Sequence, residues 1–383
     1  MNILNLTHTD INSDSRILKE MRSVSKDDSY KLYGIGVMMN EGSVDSFIGS
    51  EKLNIESIIL QSRKLTLLPA VLMHSFSVIE LTIKMAFKAI NLKPKVIHCH
   101  DTLVLPLGVI VKLFTGAKLI YDTHELESDR NGLSKTLGKM TLFVEKLFWR
   151  FIDALIVVSP SIEKWYKDNI GEKYSKIILN SPVALEGDTK YDKSYLREKF
   201  AIHPDSKIFL YIGILGKGRG IELVVEAFKN PDIESSLVFL GYGELGNELK
   251  SLASRYSNIY VHDAVPHAQV TAVAKSADVG LCFIQNVSLS DYYCLPNKLF
   301  EYAFSEIPVL ASNFPDISNV VNNYNLGMCS DLTPKSVYKA IKNFEDLNKL
   351  PKINLENLYD LTWEAQEEKI LKLYKEILED KDK

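Results

Sequence analysis

The chain has 383 residues, 46% hydrophobic and 25% charged, with a formal net charge of −4. That balance excludes a disordered chain and one that holds nucleic acid by bulk positive charge, and the length suffices for two domains with separate cores. Residues 1–182 carry 23 Lys and Arg against 20 Asp and Glu (+3) and residues 183–383 carry 22 against 29 (−7), so a slightly basic half, suited to an anionic partner such as a membrane surface, precedes an acidic one.

The N-terminus, Met1-Asn2-Ile3-Leu4-Asn5-Leu6, reads as a strand, since it lacks the basic segment and long apolar core of a signal peptide. The following turn, Thr7 to Arg16, contains no glycine, which argues against a dinucleotide-binding G-x-G-x-x-G loop. Further strand-like runs are Lys31–Val37, Val96–Cys99, Lys118–Tyr121, Ala154–Val158 and Lys176–Leu179, alternating with helical patterns such as Leu67 to Ile90. This alternation predicts an α/β unit with a parallel sheet.

Two of these strands close on polar clusters, His98-Cys99-His100-Asp101 and Asp122-Thr123-His124-Glu125, where a parallel sheet forms its ligand crevice. A His/carboxylate metal site is the weaker reading, because neither cluster has helical ligand spacing; His98 and His100 also fit as hydrogen-bonded strand-end residues. Arg16 suits a phosphate or acidic acceptor, or an i,i+4 pair with Glu20. Leu133, Leu137, Met140, Val144, Leu147 and Phe151 form a helical stripe, with Lys135, Lys139, Lys146 and Arg150 on other faces. Such a stripe, like that of Leu67 to Ile90, either packs on a core, the expectation for the first, or lies on a membrane. No segment reaches the ~18 apolar residues of a membrane span, and four scattered cysteines without metal-ligand spacing suit a reducing compartment, so a cytoplasmic protein is expected.

Asn180-Ser181-Pro182-Val183 breaks the pattern and is the candidate linker; strand-like runs then restart at Lys207–Ile212 and continue with Leu237–Leu240, Ile259–Val261, Val279–Phe283 and Val309–Ala311. Two successive α/β units imply two Rossmann-like domains. After the first of these runs, Gly213-Ile214-Leu215-Gly216-Lys217-Gly218-Arg219-Gly220 leads into a helix over Ile221–Phe228. Its glycines let a backbone approach a pyrophosphate and its two cations neutralise one; a tight turn with solvated charges is the plain alternative. Gly241 and Gly243 follow the next strand, and Val265-Pro266-His267 follows His262. Ser290-Asp291-Tyr292-Tyr293-Cys294-Leu295-Pro296-Asn297-Lys298-Leu299-Phe300-Glu301-Tyr302 places a polar turn before a helix, where free N–H groups meet anions and a carboxylate one turn in takes ligand hydroxyls. A last helix runs from the Thr362 cap to about Leu378, before a charged tail.

Leu295 to Tyr302, followed by Ile307-Pro308-Val309-Leu310-Ala311-Ser312, resembles the donor-site helix of the retaining glycosyltransferases of family 4. The resemblance implies the GT-B fold: two Rossmann-like α/β domains facing a central cleft, with a C-terminal helix crossing back to the first. Residues 1–181 would form the N-terminal, acceptor-side domain together with the helix at about 363–383, and 182–362 the nucleotide-sugar domain. The implied reaction moves a sugar from a nucleoside diphosphate sugar to a carbohydrate or lipid-linked acceptor hydroxyl, with retained configuration and no metal or further cofactor. It would serve surface polysaccharide or glycolipid assembly; peripheral membrane contact through the first domain is the expectation from its basic charge and the two helical stripes. Resemblance assigns Glu301 to the ribose, His124 to the transferred sugar and Arg219 to the donor phosphates; Lys298, a cation at a helix start, is expected to add charge for the leaving diphosphate. Gly213, Gly216, Lys217, Gly218, Gly241, Gly243, Pro266, Tyr293, Pro296, Asn297 and Leu299 would line the donor, with Arg16, His100 and Asp101 on the acceptor side. Tyr293 stands where relatives carry a first glutamate, and Ile214 where they carry an arginine. Those departures keep two other readings open, a GT-B sugar-nucleotide epimerase and a non-catalytic nucleotide-sugar-binding subunit.

Overall fold

The computed structural model describes residues 1–38, 53–64, 70–183 and 191–379. The chain divides into two units, Met1–Ile178 with Gln366–Lys383, and Leu179–Ala365. The first unit ends at Ile178 rather than at residue 181, because Ile178 still belongs to it through bonds from its N–H to the Val157 carbonyl and from Arg16 to its own carbonyl.

In the first unit the strands are β1 (Asn2–Leu6), β2 (Lys31–Val37), β3 (Leu53–Ile58), β4 (Val96–His100), β5 (Lys118–Asp122), β6 (Ala154–Val157) and β7 (Ser175–Ile177). They form a parallel sheet in the order β3-β2-β1-β4-β5-β6-β7. The order reverses direction between β1 and β4, so the chain's crevice in this unit opens beyond their carboxyl ends, at Thr7 and Asp101. The helices are α1 (Ser15–Ser25), α2 (Ala70–Asn91), α3 (Leu105–Thr115), α4 (Lys135–Phe148) and α5 (Pro160–Asn169). Residues 67–69 of the expected Leu67 to Ile90 helix lie outside the described residues. Asp14 caps α1 by accepting from the N–H groups of Arg16 and Ile17.

The second unit repeats the plan. Its helices are α6 (Tyr195–Phe200), α7 (Ile221–Phe228), α8 (Gly246–Ala253), α9 (Val270–Ala274), α10 (Leu289–Tyr292), α11 (Asn297–Phe304), α12 (Pro315–Asn323) and α13 (Pro334–Glu345). Strands β8 (Ile208–Ile214), β9 (Ser236–Tyr242), β10 (Ile259–His262), β11 (Val279–Cys282), β12 (Val309–Ser312) and β13 (Gly327–Ser330) pair in parallel in the order β10-β9-β8-β11-β12-β13. The reversal here falls between β8 and β11. Tyr302 of α11 fixes that junction: its buried hydroxyl donates to the carbonyls of Leu210 (2.9 Å) and Leu281 (3.2 Å) and accepts from the Ile212 N–H (2.9 Å). Gly280 makes room for the ring, since a Cβ there would lie 2.3 Å from it. A last helix, α14 (Trp363–Glu379), starts at Thr362, whose hydroxyl accepts from the Ala365 N–H at 3.2 Å. From Gln366 onward it belongs to the first unit, where buried Tyr374 bonds to His98 Nδ1 at 2.7 Å.

The stripe over residues 133–151 departs from the core-packing expectation. On α4 the buried residues are Gly138 and Glu145, while Leu137, Met140, Phe143 and Leu147 are exposed. Glu145 turns the helix this way round: its carboxylate accepts from the hydroxyls of Tyr121 (2.8 Å) and Tyr166 (2.6 Å), and Gly138 lies so close to the Ser128 carbonyl that a Cβ would meet it at 2.5 Å.

Candidate functional site

At the carboxyl edge of the second unit, α7 and α11 are among the helices that begin without a side-chain cap, and they are the two that flank the β8/β11 reversal. Gly220, at φ +72°, precedes α7 and Pro296 precedes α11, and neither offers an oxygen to the first-turn N–H groups. Gly220 is required by close approach, as a Cβ would lie 2.5 Å from Phe283, whereas the space beyond Gly213 (φ +120°) is open to 4 Å. Gly216 and Gly218 shape the same turn, with the Gly218 carbonyl accepting from the Gln285 N–H at 2.9 Å. Gly241 and Gly243 serve the sheet itself: a Cβ at either would meet a carbonyl, of Gly213 at 1.9 Å or Leu215 at 2.4 Å.

Three cations lie at this edge, two on the loop before α7 and one in the first turn of α11. Lys217 is exposed, its backbone N–H bonded to Glu244 Oε1 at 3.1 Å. Arg219 lies 3.9 Å from Asp291, a partner whose role was hidden in the sequence; Ser288, the cap of α10, donates to the other oxygen of Asp291 at 2.7 Å. Burial pushes the Asp291 carboxyl up, opposed by that hydrogen bond and by Arg219. The Ser288-x-x-Asp291 spacing is a capping pattern and was the available signal. Lys298 is unusual: its Nζ is shielded from solvent, lies 3.9 Å above the Tyr211 ring, and meets no hydrogen-bond acceptor. Burial pushes the Cys294 thiol up, and the charges of Arg219 and Lys298 oppose that shift.

Glu301 is buried, 3.7 Å from His267 Nδ1. Asn297 is exposed and Tyr293 half-buried against Tyr292, while Pro266 leads the turn His267–Gln269. Leu299 is fully buried, so its side chain belongs to the core and its N–H bonds the Pro296 carbonyl at 3.0 Å. His262 is a structural residue, held by the Tyr195 hydroxyl (2.8 Å) and the Asp263 carbonyl (2.6 Å).

The first unit gathers Arg16, His100, Asp101 and His124 at one edge, around a residue that sequence reasoning quoted without a role, Asp122. Buried Arg16 donates to both oxygens of Asp122 (3.2 and 3.3 Å) and to the Ile178 carbonyl (3.2 Å), and its Nε sits 3.0 Å from Glu20. Its guanidinium is thus engaged within the unit, the i,i+4 pairing included. Burial opposes ionisation of Asp122, yet Arg16 and hydrogen bonds from His100 and His98 hold its carboxyl well below the usual range. Burial and the charge of Asp122 push Glu20 the other way, well above it.

His100 Nε2 faces Asn5 Oδ1 at 3.2 Å and its Nδ1 faces His124 Nε2 at 3.2 Å; burial and neighbouring His98 lower its pKa to about 4. His124, with 20% of its side chain exposed, lies 3.7 Å from Asp101 and is also kept neutral by burial, against the pull of Asp122. Asp101, at φ +69°, also approaches His8 at 3.6 Å; burial lifts it to about 7 against a lowering hydrogen bond with Glu127. Glu20, His98, His100 and Asp122 bring ligand-type atoms within 4.8 Å of one another. They do not suit a metal, because the Arg16 guanidinium already lies on both carboxylates and a divalent ion would sit against it.

Residues 192–358 match the family described as glycosyl transferases group 1. An uncharacterised glycosyltransferase of Methanocaldococcus jannaschii, MJ1069, is 27% identical over 286 residues, covering 70% of this chain and 69% of that one. Among solved structures, sucrose-phosphate synthase from Thermosynechococcus elongatus aligns with a TM-score of 0.76 at 16% identity, over 99% of each chain. Anabaena HepE in complex with UDP aligns at 0.72 and 15% identity, over 98% of this chain and 100% of that one. The chain therefore has the GT-B fold, and residues 192–358, within its second unit, carry the pattern of the group 1 glycosyl transferases.

Proposed function

We propose that the protein is a retaining, metal-independent glycosyltransferase that moves a hexosyl group from a nucleoside diphosphate sugar to an acceptor hydroxyl, in the assembly of a surface polysaccharide or glycolipid. The observation that carries this is Lys298, a shielded ammonium without an acceptor beside two helix starts without side-chain caps. Each of those features is an unmet demand for negative charge, and a diphosphate supplies it. The group 1 match lies in the same unit, and HepE, a structural neighbour, has been seen with UDP and with UDP-glucose.

In this reading, Lys217, Arg219 and Lys298 neutralise the diphosphate as it departs, with the charge already in place before the bond breaks. Asp291 holds Arg219 in position, and Glu301 takes ribose hydroxyls. Gly213 leaves its backbone open to the donor, and Tyr293 offers a ring where relatives carry a carboxylate. On the first unit, neutral His124 takes a hydroxyl of the transferred sugar, and His100 and Asp101 act on the acceptor side through it. Arg16 contributes by fixing Asp122 rather than by touching substrate. The four unpaired cysteines suit work in the cytoplasm.

The test is release of nucleoside diphosphate from a panel of nucleotide sugars, with and without acceptor glycans or lipid-linked sugars, in excess EDTA. Acceptor-dependent release that survives chelation, giving a product of the donor's anomeric configuration, is expected. Turnover without any acceptor to a rearranged nucleotide sugar, or activity lost to EDTA and restored by a divalent ion, refutes it.

A further inference from the structure

The first unit carries a face that its own core does not explain. Right-handed crossovers put α2, α3 and α4 on one side of the sheet, with α3 packed against both others. Along α2, Phe76, Ile79, Ile83 and Phe87 share a helical face and are exposed, Phe87 by 71%. On α3, Leu113 and Phe114 are exposed by 67% and 74%, and on α4 Met140, Phe143 and Leu147 continue the surface, Phe143 by 65%. An apolar surface spread over three neighbouring helices exceeds the scattered apolar residues of an ordinary protein surface.

Its charges are predominantly positive. The segments 70–91, 105–115 and 135–150 contain seven Lys and Arg against two acids, Glu80 and Glu145, and Glu145 is fully buried. Lys84, Lys88 and Lys112 pair with Glu80, Glu56 and Asp153, but Lys135, Lys139 and Lys146 on α4, and Arg150 just beyond its end, meet no carboxylate among the described residues. This lies on a chain whose net charge is −4, so the cations are concentrated here rather than general.

The orientation of α4 is built in. With Glu145 bonded to two buried tyrosine hydroxyls and Gly138 against a backbone carbonyl, rolling the helix to bury its apolar stripe would carry Glu145 out to solvent and leave the buried Tyr121 and Tyr166 hydroxyls without their acceptor. We infer that this α2–α3–α4 face docks on the surface of an anionic lipid bilayer, the apolar side chains entering the headgroup region and the α4 cations meeting lipid phosphates. No described helix is long and apolar enough to cross a membrane, so the contact is one of lying on the surface. The inference is independent of the sugar-transfer reading, and its test uses no turnover.

The full chain is mixed with phosphatidylcholine vesicles or with vesicles containing phosphatidylglycerol, and its flotation is measured at rising salt. Flotation with the anionic vesicles, weakening with salt, is expected. F114E/F143E should lower the partition coefficient at least tenfold; K139E/K146E should lower it about fivefold or more for each cation lost. K349E/K352E, an equal charge change on exposed lysines of the other unit, should leave it near the wild-type value. These positions are exposed, so the variants fold, and circular dichroism checks this. Wild type remaining with the buffer, or both double variants on the face floating as wild type does, overturns the inference. So does self-association in sedimentation velocity that F114E/F143E abolishes while vesicles bind nothing, because the face would then cover a second copy.

Discussion

Replacing Lys298 by Met separates a functional cation from a structural one, because the two roles predict opposite signs for stability and activity. The Nζ lies 3.9 Å above the Tyr211 ring and has no acceptor, so its favourable local interaction is a desolvated cation–π contact of about 2 kcal/mol. Against that stands the burial of an unpartnered charge, which costs several kcal/mol even after relaxation. Methionine keeps most of the volume and the contact with the ring while removing the charge. Stability without ligand should therefore stay level or rise by roughly 1–2 kcal/mol, a few degrees in a melt of a unit this size. Nucleoside diphosphate at a hundredfold excess over its Kd should add about 2.7 kcal/mol to the wild type and much less to the variant. Turnover should fall by about 10²–10³. Melting curves with and without nucleotide, beside initial rates at saturating donor, read all three. A variant that loses more than about 2 kcal/mol without ligand, or that turns over as wild type does, would show that the ammonium is a packing element and would refute the argument.

Arg219→Ala should lower kcat more than donor affinity, by about 10²–10³, since charge on the bridging oxygen grows as the sugar leaves; Arg219→Lys should restore part, and steady-state kinetics decide. Glu301→Ala should weaken nucleotide-sugar binding by about 1.5–3 kcal/mol with an unchanged circular dichroism spectrum, measured by titration calorimetry. Glu145 provides the pH test: burial raises it from 4.5 to about 7 against three hydroxyl hydrogen bonds, so the stability its protonated form contributes is present below 4.5 and lost as pH rises through about 7. The unfolding free energy from urea titrations should accordingly fall between pH 5 and 8 in the wild type, by up to roughly 3 kcal/mol, and Glu145→Gln should flatten that limb.

The buried strands of both sheets were legible because continuous apolar runs ending in polar residues have few other readings: β2 was placed residue for residue, and β4, β5, β9 and β11 to within two residues. Two outer strands, β3 and β13, escaped because an edge strand needs no apolar face on both sides; Leu53–Ile58 alternates half-buried with exposed positions, and Gly327–Ser330 contains a glycine and no β-branched residue. The α4 stripe had the right period and the wrong partner. Periodicity shows that one face differs from the other, and only the Tyr121 and Tyr166 hydroxyls, distant in sequence, decide that the face of Glu145 turns inward. For the same reason Asp122 and Asp291 were visible as letters and their service to Arg16 and Arg219 was not. A buried ion pair between elements 106 residues apart, as Arg16 and Asp122 are, leaves no local signature.

The two sheets share a strand order about their reversal points, yet those points are equipped for different chemistry, and charge accounting explains the division. At β1/β4, Arg16 and Asp122 cancel, Glu20 is held above the carboxylate range, and His100 and His124 are kept neutral by burial. Few demands for charge remain there, so an anion arriving would be desolvated for little return. What that edge can offer is hydrogen bonding from partly exposed His124 and its neighbour Asp101, the equipment for neutral hydroxyls. At β8/β11 the balance is reversed: Lys217 is exposed, Arg219 is only distantly paired, Lys298 has no acceptor, and α7 and α11 start without side-chain caps. A neutral sugar alone would leave those groups unanswered, whereas a diphosphate answers several at once. In the proposed reading, therefore, the β1/β4 edge takes hydroxyls and the β8/β11 edge takes the diphosphate of a nucleotide sugar.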